Sequence, residues 1–137
     1  MPISNTDVER VVKDVSEGAA DPNHVATLVG ELMRRQPAIG HYVQGHAQEL
    51  TLEGTVVVLL HIAVLARCIE VARGRPLRPL DFRALDEAAH MPGALATEPA
   101  LASYVDSNLS REDPLLGGTR HATARALLDV AVRALLG

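Results

Sequence analysis

Histidines and carboxylates have the widest chemical reach in this chain, because together they hold transition metals and exchange protons near neutral pH. The sequence carries six histidines, and spacing rather than number decides what they can do. His41 and His46 lie five residues apart. That is about 140° around a regular helix, so one helix cannot aim both at one ion. His46 and Glu49 are three apart and share a face, and Glu53 extends it by one turn if the helix continues through Thr51 and Gly54. Glu87-Ala88-Ala89-His90 matches the Glu-x-x-His unit of carboxylate-bridged di-iron bundles, where carboxylates from other helices complete the site. Such a bundle needs two units, and the second candidate, Asp21-Pro22-Asn23-His24, falls at a helix start with proline inside it. Glu87 and His90 therefore read as an ion pair at a helix end, with His90 favourable to the terminal dipole. His61 interrupts the apolar run 56–66 on a stripe with Val57, Val64, Leu65 and Cys68. Burial there disfavours its charged form. Cys68 is one heptad further on, about 10 Å along a helix, too far to serve with His61 as nucleophile and base. The expected roles are a core or subunit-interface histidine and a small buried apolar cysteine. No metal or cofactor is expected, and a metal site, if formed, would draw on His46, Glu49, Glu53, His61, Glu87 and His90.

The remaining catalytic templates are missing. There is no Gly-x-Ser-x-Gly elbow, phosphate-binding glycine loop or His-Glu-x-x-His helix. Gly117-Gly118-Thr119, followed by Arg120 and His121, is explained by a tight turn and a helix cap. The aromatic residues are only Tyr42, Phe82 and Tyr104, too few for the stacking platform of a single-strand binder. A formal charge of -4 also disfavours generic polyanion binding. One segment runs against that balance: Arg67, Arg73, Arg75, Arg78 and Arg83 are interspersed only with Glu70 and Asp81. Lys13 is the sole lysine, a bias that a GC-rich coding sequence explains as well as selection for bidentate contacts does.

The elements that must position these residues are helices. At 137 residues with 47% hydrophobic and 22% charged residues, the chain suits a single domain that buries its core without disulfides or metals. Ser4 and Asp7 open a helix carrying Val8, Val11, Val12 and Val15, interrupted from Gly18 to Asp21. Asp21 as cap and Pro22 begin a second, with Val25, Leu28, Val29, Leu32 and Met33, ending near Gln36. Pro37 opens a third along Ile39, Tyr42, Val43, Ala47 and Leu50. Thr51 caps a fourth that runs to Arg73 and stops at Gly74. Apolar almost all round from 56 to 65, this helix of about 51–73 is the expected centre of the fold, with Val57, Leu60, Val64 and Leu65 as core. A buried strand over 56–60 has no partner strand elsewhere, so the helix is preferred. The connector Arg75-Pro76-Leu77-Arg78-Pro79-Leu80 leads to a short helix from Asp81 to about His90. Met91-Pro92-Gly93 forms a turn, Thr97 starts a helix to about Leu109, residues 110–118 are loop or a tight turn, and a last helix follows Thr119. The fold class is all-α, a compact bundle of six to seven helices.

The stretch 31–43, Glu-Leu-Met-Arg-Arg-Gln-Pro-Ala-Ile-Gly-His-Tyr-Val, with the apolar helix and Pro-Leu-x-Pro-Leu connector after it, resembles small bacterial all-helical proteins with an Arg-Gln-Pro helix junction. The likeness covers roughly residues 31–90, implies an all-α domain and brings no activity. A lone cysteine and the lack of a basic-then-apolar leader suggest a reducing cytoplasm. The apolar run falls short of the roughly 20 residues a bilayer requires, so no membrane span is expected. With no convergent polar site but wide apolar arcs, the chain reads as a noncatalytic interaction or scaffold module, homodimeric through the second, fourth or last helix. The alternatives are a small metal- or ligand-binding bundle, which could be an enzyme, and a DNA-associated regulator using residues 67–83.

Overall fold

A computed structural model describes residues 3–18, 21, 23–109 and 115–137. Within them eight helices form and no strand does: α1 (Asn5–Gly18), α2 (His24–Arg35), α3 (Pro37–Gln44), α4 (Ala47–Arg73), α5 (Phe82–Ala89), α6 (Ala94–Thr97), α7 (Pro99–Asn108) and α8 (Thr119–Leu136). Several ends are set by the local signals in the sequence. Ser4 Oγ accepts from Asp7 N at 3.1 Å, Asp81 Oδ1 accepts from Ala84 N at 2.9 Å, and Gly74 closes α4 with φ 69°. Proline stands at the first position of α3, where its missing N–H costs nothing.

Other ends differ from expectation. Asp21 does not cap α2; its carboxylate accepts from Asn23 N at 2.9 Å, and the helix begins at His24. Pro22 and residues 110–114 lie outside the described residues. The third helix stops at Gln44, so Ala47 and Leu50 belong to a turn at the head of α4 rather than to α3. Thr97 closes α6 through Oγ1 to Ala94 O at 2.7 Å, and α7 starts two residues later at Pro99. The extra turn α6 arises because Asp129 of α8 accepts from Gly93 N at 3.0 Å and Leu95 N at 2.9 Å. Those capping bonds reach across the fold and leave no local trace.

The long helix is bent at Thr51, whose φ 69° and ψ 168° are not helical. From that position Thr51 Oγ1 accepts from Gly54 N at 3.3 Å, so it caps the 52–73 stretch as the sequence suggested. Gly54 allows a close approach here: a Cβ would stand 3.1 Å from Leu116 Cδ2, so that side chain would have to shift to admit one. As a whole, α4 packs most extensively on α8, and also on α1, α2 and α3. Buried residues from all eight helices join one hydrophobic cluster. Leu50, Val58, Leu59, Ile62, Val64, Leu65, Ala66, Cys68 and Ile69 are α4's share, whereas Val57 and Leu60, expected in the core, are only half-buried. The reason is that neighbouring helices cover α4 on most sides but leave one stripe open. By length and composition alone α4 could cross a bilayer, contrary to the count of the apolar run; half of its most apolar window is buried within the fold.

Candidate functional site

The histidines and carboxylates singled out above are dispersed. His46 Nδ1 stands 3.7 Å from Glu49 Oε1, an electrostatic contact longer than a hydrogen bond, and Glu49 Oε2 accepts from Thr123 Oγ1 at 3.1 Å. Glu53 lies past the Thr51 bend and is exposed, so it does not extend the His46 and Glu49 face. His61 Nδ1 shares a 2.9 Å hydrogen bond with Tyr104 Oη, the rings meeting edge-on at 5.7 Å. Burial raises the Tyr104 pKa, with the nearby Cys68 adding to the shift, so the phenol keeps its proton and can donate. Glu87 pairs with Arg83, Oε1 to Nε at 3.1 Å, and not with His90. His90 Nδ1 instead donates to Asp86 O at 2.7 Å, closing the end of α5. Among the described residues no three His, Cys, Asp or Glu side chains are grouped to hold a metal ion. Cys68 is fully buried; burial, with a lesser push from the Asp7 charge, raises its thiol to about 12, so it stays protonated.

The Arg-Gln-Pro junction holds the polar constellation that the sequence did not disclose. Arg35 forms a two-bond pair with Glu70 of α4, Nη1 standing 3.4 Å from Oε1, and this hydrogen bond holds the guanidinium pKa above its usual value. Glu70 Oε2 also accepts from Leu77 N at 2.9 Å. Gln36 is 4% exposed; its amide donates to Arg78 O and accepts from Leu80 N, both at 2.8 Å. Pro76 and Pro79 have no N–H, so Glu70 and Gln36 take up donors of the residues that follow them. Pro37 then turns the chain into α3. The junction thus fastens α2, α3, α4 and the connector together.

Three surface depressions are notable. The hollow between α2 and α4, floored by Leu28, Leu32 and Ala63 and rimmed by Arg35, Arg67 and Glu70, holds about 50 Å³, below the ~300 Å³ of ordinary small-molecule sites. A furrow of about 480 Å³ between the α6 region and α8 is larger. Its polar groups are engaged: Arg125 with Asp106 at 2.6 Å, His121 Nε2 with Leu109 O at 3.1 Å, and Asp129 with the α6 amides. A third hollow, of about 310 Å³, includes Arg73, which donates to the α8 carbonyls of Leu135 and Leu136, and Glu98, which accepts from Ile3 N.

What stands out instead is apolar exposure. Leu52 is 79% and Val56 37% exposed on successive turns of α4. Leu60 and Ala63 continue that side half-covered. No protein-family model matches the chain, and neither any curated protein nor any solved structure matches it at a significant level.

Proposed function

We propose that this protein is a noncatalytic interaction module that works as a homodimer, with protein rather than metal, cofactor or nucleic acid as its partner. The observation that supports the reading is the long helix at the centre of the fold. A helix apolar over most of its circumference is stable in water when neighbours surround it, yet α4 leaves Leu52 and Val56 facing solvent. Contiguous apolar surface of this kind gains free energy when a second chain removes it from water. Several polar residues near the hollows, among them Arg35, Glu70, Arg73 and Asp129, serve internal bonds, which suits a rigid scaffold better than a reaction site.

Sedimentation equilibrium across the micromolar range tests the reading. Twice the chain mass is the expected result, and a single-chain mass throughout overturns it.

A further inference from the structure

The open side of α4 carries a charge pattern as well as apolar surface. Leu60 lies at the middle of the stripe, and Glu53 and Arg67 stand one heptad to either side of it. A heptad falls about 20° short of two full turns, so the two charges project close to Leu60's direction, one on each side. Both are exposed, and neither forms an ion pair among the described residues, whereas the next carboxylate along the helix, Glu70, is occupied by Arg35. Between them the stripe presents Val56, Leu60 and Ala63. An acid at one end, a base at the other and an apolar centre make a surface complementary to its own reverse.

We propose that a second copy of this chain packs its α4 antiparallel across this stripe, with the two-fold axis at Leu60. The partner subunit's Arg67 then stands opposite Glu53, and its Glu53 opposite Arg67. In a two-fold pair each contact occurs twice, so one self-complementary stripe gives two ion pairs flanking one apolar contact. A parallel arrangement would set Glu53 against Glu53 and Arg67 against Arg67, which disfavours it. The proposal rests on the homodimer reading and adds to it the surface, the direction and the register.

Sedimentation velocity on charge-reversal variants, with folding checked by circular dichroism, tests it. Glu53→Arg and Arg67→Glu each create two repulsive contacts per dimer and are expected to weaken association about tenfold. The double reversal, E53R with R67E, is expected to return the dissociation constant to about the wild-type value. Val56→Glu, at a site already partly exposed, is expected to give folded monomers. Leu60→Cys is expected to form a disulfide-linked dimer on oxidation, because helices packed about 8–10 Å apart bring facing positions at a two-fold axis within disulfide reach. Buried Cys68 alone should give no such link. A wild-type monomer overturns the homodimer reading and this inference together. A wild-type dimer untouched by Val56→Glu overturns the surface and leaves the homodimer standing. A dimer that Val56→Glu dissociates, but that neither responds to the charge reversals nor cross-links through Leu60→Cys, overturns the antiparallel register alone.

Discussion

Replacing Thr51 should separate two opposing effects that meet in one residue. Its φ of 69° lies in the left-handed region, which a β-branched residue enters at a cost of about 1–3 kcal/mol. Its hydroxyl recovers part of that by accepting from Gly54 N, which caps the helix that follows. Thr51→Gly removes the strain, loses about 0.5–1 kcal/mol to the greater freedom of the unfolded chain, and gives up only a few tenths in capping. The expected net effect is stabilisation by about 1 kcal/mol. Thr51→Ala keeps the positive φ and loses the oxygen, so it should destabilise by about 1 kcal/mol. For a chain of this length these values correspond to melting shifts of roughly 3–5 °C in opposite directions. Thermal melts followed by far-UV circular dichroism measure both. A glycine variant melting below the alanine variant refutes the assigned bend, because only a non-helical, positive-φ residue reverses the usual ranking of these two substitutions.

Leu65 is fully buried in α4, so Leu65→Ala should cost roughly 2–5 kcal/mol in urea unfolding; a cost below ~1 kcal/mol contradicts its place in the core. Gln36→Leu retains bulk but strips partners from Arg78 O and Leu80 N, and should cost about 1–3 kcal/mol, with faster proteolysis of the 75–80 connector as the local readout. Cys68 should resist thiol reagents at pH 8 until the protein unfolds. Its folded pKa of about 12 lies above the ordinary value of a free thiol, so the folded state retains a proton that the unfolded state releases. Stability is therefore expected to fall as pH rises from about 9 towards 12, and a flat or rising profile contradicts the burial. Fluorescence titration with duplex DNA should show no submicromolar affinity at physiological salt; tight binding lost on replacing Arg73, Arg75, Arg78 and Arg83 with Ala restores the regulator alternative.

Features written in consecutive residues were legible without coordinates. The Ser4, Thr51 and Asp81 caps, Pro37 at a helix start and Gly74 at a helix end each act within four residues of their own position. The all-α class and the central helix followed from apolar period alone. Features that depend on a distant partner were not legible. Residues 91–93 read as a turn, and no helix was expected between them and Thr97, because the carboxylate that caps α6 belongs to Asp129, more than thirty positions away. Gln36 read as a helix end, and its burial depends on the connector folding back from residues 78–80. Val57 and Leu60 read as core from composition, yet the fold leaves their side of α4 partly open. Periodicity identifies an apolar face but does not tell which neighbour, from the same chain or another, covers it.

The arginines show how far charge counting can mislead in a chain of this kind. Residues 67–83 look like a basic segment in sequence, but two of their five arginine side chains, those of Arg73 and Arg83, have structural uses, as does the Arg78 backbone. Arg73 donates to the last carbonyls of α8, Arg83 pairs with Glu87 one turn away, and the Arg78 carbonyl is held by Gln36. A guanidinium at a neighbouring helix's C-terminus offsets unpaired carbonyls and the negative end of the dipole, which is a reason for arginine at position 73 with no anion in view. Arg67 has no such role among the described residues: it is exposed, forms no ion pair there, and sits on the α4 face where Leu52 and Val56 meet solvent. Its position relative to Glu53, rather than the sum of five positive charges, is where the sequence carries information about a partner.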